Sequence, residues 1–392
     1  MSFNDENILV FHHIQKTGGT TLRKALARNV YAKGDFFSYY SHEEQQAFEA
    51  MPDVDKNRLK LIIGHHPFGL HKLFNRSAKY FSIVREPIDR LVSFYYYMRQ
   101  PSFIDDLGPK RMSLEEFLVS GLIADFDNGL VRHFSGIPNI PYGECTDEHL
   151  EIAKENINEY YPVVGMLKYF DESLLLMRKA FNWSIPFYVR ENTTSGRMFK
   201  NNLSYSTMET LKKNTELDTQ LFNWISEKFK NQLSDYENLE NEKEIFKKLN
   251  ILNTLVDDVK IHDLFAEACD LFQKNLYEDV YSCVIRLQEH VKNVGASLAC
   301  ARNLNTRLLY KCGSALKQLG EYPEAEKVFM RALDNTKDTA LLSGIYFHLG
   351  ESTFFQNKNN SALEYFQLCL NFNPLHVKAK VYCEKINEQY VS

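Results

Sequence analysis

Three short apolar runs punctuate the first part of the chain: Ile8–Ile14, Leu59–Gly64 and Tyr80–Val84. Each is bounded by polar residues and has the length of a buried strand. Helical apolar spacing follows the first and the third. That alternation predicts βα units around a parallel sheet. A fourth run, Pro162–Leu167, precedes an amphipathic stretch from Asp171 to Phe181. Helices are expected near Leu114–Ser120 and Asp147–Tyr160. A long helix is expected from Ser206 to about Gln232, with Leu211, Leu217, Leu221, Trp224, Ile225 and Phe229 on one side. Near residue 235 the character changes. Asp235–Lys248 is charged and poor in apolar residues, as a linker or solvated helix would be. From about Asp257 onward only helical patterns occur. The expected architecture is an α/β domain over 1–240, a linker over 241–256 and an all-α domain over 257–392.

The helical patterns at the end of the chain repeat. Leu309, Gly313, Leu316, Ala325, Phe329 and Ala332 are echoed about 37 residues later by Tyr346, Gly350, Thr353, Ala362, Phe366 and, slightly offset, Leu370. Small residues at Gly313/Gly350 and Ala325/Ala362 let paired helices approach, and Phe329 and Phe366 fill the gap between them. Pro374 follows the second set. A weaker first unit begins near Ile261, with Ala268, Leu271, Val280 and Val284 in matching places. The region resembles a tetratricopeptide array. Arrays of that kind imply a protein partner or self-association.

Composition narrows the function classes. The 392 residues are 44% hydrophobic and 25% charged, ordinary for a globular protein. The net charge of −5 argues against a nucleic-acid partner and leaves room for a local basic pocket. Seven cysteines are present without a C-x-x-C pair, so metal and thioredoxin-type readings lack their spacing. The start, Met1–Glu6, is acidic, and the apolar run after it is short. Neither a signal peptide nor a membrane span of roughly 18 apolar residues is expected, and the expected location is cytoplasmic.

The strongest chemical signal follows the first strand: His13-Ile14-Gln15-Lys16-Thr17-Gly18-Gly19-Thr20-Thr21. A buried strand ends at Ile14, a short loop follows, and a helix begins near Thr20. Gly18 and Gly19 let the backbone approach an anion. The N–H groups of the new helix favour negative charge at the same spot. Lys16 adds a full positive charge, and Thr17, Thr20 and Thr21 add hydroxyls. This is a site for a phosphate or sulfate group. It is not a Walker A motif, because Lys16 precedes the glycines instead of following them.

The third strand ends in Ile83-Val84-Arg85-Glu86-Pro87-Ile88-Asp89-Arg90-Leu91-Val92-Ser93-Phe94-Tyr95-Tyr96-Tyr97. Pro87 suits the first turn of a helix. Arg85 sits where α/β sheets bind ligands, and with Ser93 it is suited to grip a second phosphate. Between the two motifs lies Gly64-His65-His66-Pro67-Phe68-Gly69-Leu70-His71, again after a strand.

The order Lys-Thr-Gly-Gly-Thr-Thr resembles the 5′-phosphosulfate loop of the PAPS-dependent carbohydrate sulfotransferases (PAPS is 3′-phosphoadenosine 5′-phosphosulfate), particularly the heparan sulfate 2-O and 6-O types and their bacterial relatives. The string from Arg85 to Tyr97 is similar to their 3′-phosphate motif, closest to the 2-O type. Val163–Ser173 looks like the family's strand–turn–helix segment, Arg190–Thr194 like a segment closing over adenosine, and the Asp218 helix like the last helix. The resemblance covers roughly residues 7–235. It departs at Gln15, where Pro is more frequent, and is loose over Asn192–Gly196.

The resemblance implies a P-loop-like sulfotransferase domain using PAPS, released as PAP (adenosine 3′,5′-bisphosphate), without a metal. Lys16, Thr17, Gly18, Gly19, Thr20 and Thr21 would hold the 5′-phosphosulfate, Arg85 and Ser93 the 3′-phosphate, with Thr194 near the adenosine. His65, with His66 as second choice, would be the base for a carbohydrate or glycoconjugate hydroxyl. His71 would be structural or a substrate contact. His12 and His13 would pack at the strand end, with contact to the nucleotide the alternative for His13. Acceptor specificity would lie in loops such as Gln100–Lys110 and Gly136–Glu144. The alternatives from other classes are a small-molecule kinase and an inactive nucleotide-binding repeat scaffold.

Overall fold

The computed structural model describes residues 7–391 except 33, 67, 74–75, 101–109, 190–202, 257–260, 301–305, 335 and 337. The chain divides into two compact units, Met1–Lys243 and Glu244–Ser392.

The first unit is built on five parallel strands: β1 (Ile8–His12), β2 (Phe36–Tyr39), β3 (Leu61–Gly64), β4 (Ala78–Val84) and β5 (Val163–Met166), in the order β2-β3-β1-β4-β5. Phe11 of β1 registers with Ile63 on one side and Phe81 on the other. Every residue of β1, β3 and β5 is buried. This is why they read as continuous apolar runs, since a parallel sheet is covered on both faces. β2 is not evident from the sequence. It has four residues, lies at the sheet edge and pairs only with β3.

The first unit's helices are α1 (Gly19–Asn29), α2 (His42–Glu49), α3 (Asp53–Lys56), α4 (Pro87–Met98), α5 (Leu114–Val119), α6 (Gly129–Ser135), α7 (Asp147–Tyr160), α8 (Phe170–Phe181), α9 (Tyr205–Asn214) and α10 (Glu216–Ser234). α11 (Leu239–Asn253) crosses the division between the units. The α4 start is set locally: Pro87 occupies the first turn and the Glu86 carboxylate accepts from Asp89 N–H at 2.7 Å.

The single helix expected from Ser206 to Gln232 is two helices, α9 and α10. The break at Thr215 is made by tertiary hydrogen bonds. Asn128 donates its backbone N–H to Asn214 O at 2.8 Å. Its side-chain oxygen accepts from Leu217 N–H at 2.9 Å and Asp218 N–H at 3.2 Å. A cap supplied from ninety residues away leaves no mark in the local pattern.

The second unit, as far as it is described, is helical. Helix pairs Thr306–Gln318 with Tyr322–Leu333, and Thr339–Phe354 with Asn359–Phe372, carry the repeated positions. A Cβ at Gly313 would lie 2.8 Å from the Phe329 ring, and one at Gly350 would lie 2.6 Å from the Phe366 ring. Each glycine is therefore the slot for its repeat's phenylalanine. Consecutive pairs are tied by His348, which bonds Tyr310 OH at 3.1 Å, beside the Lys317–Glu351 ion pair. An earlier helix pair, His262–Gln273 and Tyr277–Cys300, buries Ala268, Phe272, Val280 and Val284.

Candidate active site

β1 sits between β3 and β4, and the chain switches sides there. The carboxyl ends of these strands are where α/β sheets present their ligand crevice. His13 and the loop of residues 15–18 follow β1, His65 follows β3, and Arg85 follows β4.

The loop is shaped by its own backbone. Lys16 (φ 67°) and Gly18 (φ 89°) both take left-handed conformations, ordinary for glycine and costly for lysine. The first i→i−4 bond of α1 runs from Leu22 N–H to Gly18 O, so the amides of Gly19 and Thr20 lie ahead of it, at the positive end of the helix. Gly19 has a second reason to lack a side chain: a Cβ there would collide with the His13 imidazole. Thr17 is buried and its hydroxyl donates to Ile14 O at 2.8 Å. That proton shapes the loop and is spent there. Thr20 is half-buried and Thr21 buried.

Arg85 reaches this loop. Its Nη1 donates to Lys16 O at 3.3 Å. The two motifs, distant in sequence, thus meet at Lys16. The Lys16 ammonium lies over the Tyr97 ring, 3.9 Å from its centroid. Ser93 is buried on α4, one turn before Tyr97 and on the same helix face. Thr194 lies outside the described residues, as does most of the Gln100–Lys110 loop.

His65 is half-buried and its Nδ1 is 2.6 Å from His13 O. A carbonyl only accepts, so Nδ1 carries the proton and Nε2 is left as the acceptor. A neutral imidazole held in this tautomer can take a proton at Nε2. Its ring lies tilted against His13 at 4.3 Å and meets the Tyr40 ring edge-on at 4.9 Å. His66 is buried, stacked on His12 at 5.4 Å and against Tyr39. His12 bonds Tyr161 OH at 2.7 Å. His71 bonds Tyr80 OH at 3.0 Å and stacks on Tyr160. Of the histidines after β3, His65 is the one on the loop side of the sheet end with its second nitrogen directed by a backbone bond.

The arrangement therefore joins a helix-start anion site, a lysine, an arginine and an oriented imidazole. Residues 1–117 match the sulfotransferase family. The chain is also similar to heparan sulfate 2-O-sulfotransferase hst-2 of Caenorhabditis elegans, 26% identical over 195 residues, covering 43% of this chain and 59% of that protein. It is similar to galactose-3-O-sulfotransferase 2 of Homo sapiens, 26% identical over 181 residues, covering 43% of this chain and 44% of that protein. The chain spans about half the length of the curated relatives it matches. Residues 306–339 match a tetratricopeptide repeat. Among the described residues, no helix is long and apolar enough to cross a membrane, and no group of His, Cys, Asp or Glu is arranged to hold a metal ion.

Behind this site runs a buried ionic network that the sequence reading missed. Arg90 is fully buried on α4. Its Nη1 bonds Asp125 Oδ2 at 2.9 Å, and its Nη2 lies 3.7 Å from Asp218 Oδ2. Asp218 accepts from Leu130 and Val131 N–H at 3.0 and 2.9 Å, capping α6. His133 on α6 points Nε2 at Asp125 Oδ1, 3.3 Å away, and its ring meets the His12 ring at 5.6 Å. Burial pushes the Asp218 carboxyl up to about 6 against the pull of Arg90. Burial would also raise Asp125, but Arg90 and His133 beside it hold it well below the usual carboxylate range. The second arginine of the R-E-P-I-D-R string was the available signal.

The imidazoles give the first unit a pH dependence. His12, His13 and His65 are all held below the usual imidazole range by burial first; neighbouring charge adds to this for His12 and His13, and the His13 carbonyl opposes it for His65, which still falls to about 4. The folded form keeps them neutral, whereas an unfolded chain protonates them below about pH 6.5. Their contribution to stability is thus complete above about pH 6.5 and is lost as the pH falls toward 4. The midpoint of thermal unfolding of this unit is expected to drop between about pH 7 and about pH 5. A midpoint constant over that interval would contradict buried neutral imidazoles.

Proposed function

We propose that the chain is a carbohydrate sulfotransferase that moves the sulfuryl group of PAPS to a hydroxyl of a glycan or glycoconjugate. The observation that carries this reading is the meeting of the two anion motifs at Lys16, with Arg85 on its carbonyl, and at the end of neighbouring β3 an imidazole whose Nε2 is left as acceptor. In this mechanism the amides of Gly19 and Thr20, the Thr20 and Thr21 hydroxyls and the Lys16 ammonium hold the 5′-phosphosulfate. Arg85 and Ser93 hold the 3′-phosphate. His65 Nε2 takes the proton from the acceptor hydroxyl as its oxygen bonds to sulfur. The bond from sulfur to the 5′-phosphate oxygen breaks, and Lys16 stabilises the charge left on that oxygen. The lysine and the helix start supply the positive charge, so the reading assigns no metal. Gly18 keeps the loop in shape, since its left-handed backbone suits glycine and a Cβ there would meet the Leu167 side chain at 2.7 Å.

The carbohydrate acceptor rests on the two relatives, whose names specify heparan sulfate and galactose. The domain limits 1–240 and 257–392, a cytoplasmic location and a protein partner or self-association through the repeats belong to the same proposal. Incubation with labelled PAPS and a panel of glycans, read by mass spectrometry, tests it. A sulfated product with PAP release supports the reading. No PAP release with any acceptor, together with no PAP binding by calorimetry, contradicts it.

A further inference from the structure

The tyrosine run after Ser93 has no role in the mechanism above, and its three rings differ sharply. Tyr95 is buried, with its hydroxyl donating to Met112 O at 2.8 Å. Tyr96 packs against the same core cluster. Tyr97 is 36% exposed and has its ring under the Lys16 ammonium, 3.9 Å from the centroid. We propose that Tyr97 is a positioning residue for the donor site: its ring pre-orders the Lys16 ammonium for the 5′-phosphate group of the nucleotide. The proposal rests on the donor reading of the preceding section.

Three observations support it. Lys16 is held at two points from two elements: Arg85, at the end of β4, grips its carbonyl, and Tyr97, at the end of α4, takes its ammonium. The backbone between them is in the left-handed region, so the direction of the side chain is set by a conformation that needs support. Ser93 and Tyr97 are four residues apart on one helix, so the same face of α4 carries a candidate 3′-phosphate contact and the brace for the 5′ contact.

The chemistry favours bracing over storage. A lysine has a long flexible stem and loses much rotamer freedom when it fixes an anion. Ordering it in advance saves that loss at binding. An aromatic face attracts the cation without neutralising it. A carboxylate in the same place would cancel it.

The test uses the full chain, calorimetry and two ligands. PAP carries both phosphates, whereas adenosine 3′-phosphate lacks the 5′ group that Lys16 would meet. Tyr97→Leu is expected to weaken PAP about fivefold and to leave adenosine 3′-phosphate within about twofold. Tyr97→Phe and Tyr97→Trp keep a π face and are expected to recover most of the PAP affinity, with Trp at least as strong as Phe. These two variants also retain a large ring, so they decide the matter if the leucine variant folds poorly. Unchanged or tighter PAP binding in Tyr97→Leu overturns the proposal. Equal weakening of both ligands overturns it too, because that marks a loss of local structure. If the wild-type chain binds neither ligand, the donor reading fails first and the brace with it. If wild type binds PAP and the aromatic series makes no difference, only the brace fails.

Discussion

Replacing Lys16 by alanine is expected to lower turnover of PAPS by about 10²–10³-fold, the cost of removing one preorganised charge or donor from a developing oxyanion. The residue stands where four features meet: the end of β1, the start of α1, the Arg85 guanidinium and the Tyr97 ring. Its charge is the nearest full positive charge the loop itself carries. In the proposed reaction the negative charge grows on the oxygen that bridges sulfur and the 5′-phosphate. A group that contacts this oxygen matters most at the transition state, so the loss should fall mainly on kcat. PAP affinity should fall less, because the helix amides and Arg85 remain. Since Lys16 is half-buried and its side chain leaves no core void, the melting temperature should stay close to that of wild type. Single-turnover measurement of PAP release checks the prediction. A rate within about threefold of wild type would remove Lys16 from the mechanism.

Replacing Arg90 by alanine is expected to destabilise the first unit by about 3–5 kcal/mol, the range for breaking a buried ion pair from one side. The guanidinium is fully buried and faces two carboxylates, Asp125 at 2.9 Å and Asp218 at 3.7 Å. Without it those two carboxylates share a buried space with no arginine between them. The damage spreads because Asp218 also caps α6, and Asn128 next to that helix caps α10. A fall in melting temperature on the order of 10 °C is expected for a unit of this size. Arg90→Lys should recover only part of it, since an ammonium cannot span both carboxylates as a planar fork does. Thermal unfolding followed by circular dichroism measures it. A shift under about 2 °C for the alanine variant would mean that the network contributes little.

How legible the protein was in its sequence depended on where each determinant lay. β1, β3, β4 and β5 were readable because a parallel strand buried on both faces is a continuous apolar run. The edge strand β2 was not, because four residues paired on one side carry too little pattern. The repeat geometry was readable because Gly313 and Phe329 are spaced like Gly350 and Phe366, and the glycine slot and the ring that fills it recur together. The break at Thr215 was not, because its cap comes from Asn128.

The site divides in the same way. Lys16, Gly18 and Arg85 could be singled out because strand-end motifs are local. Gly19 was read as an opening for the anion, and its contact with His13 adds a packing reason that only the fold reveals. Thr17 was read as an anion donor, while its hydroxyl is committed to Ile14 O. The Arg90–Asp125–Asp218–His133 network joins four separate segments, so no spacing rule could have found it. Tyr97 was part of a recognised string, yet nothing in the string distinguishes it from Tyr95 and Tyr96.

The central claim is that the loop around Lys16 and the end of β4 form one site for a nucleotide with two phosphates. Calorimetric titration of the intact chain with PAP, and separately with ATP, tests this most directly. The account predicts saturable one-to-one PAP binding that is much weaker in Arg85→Ala, with ATP binding at least tenfold more weakly than PAP. ATP binding without PAP binding, or PAP binding unaffected by Arg85→Ala, would contradict it.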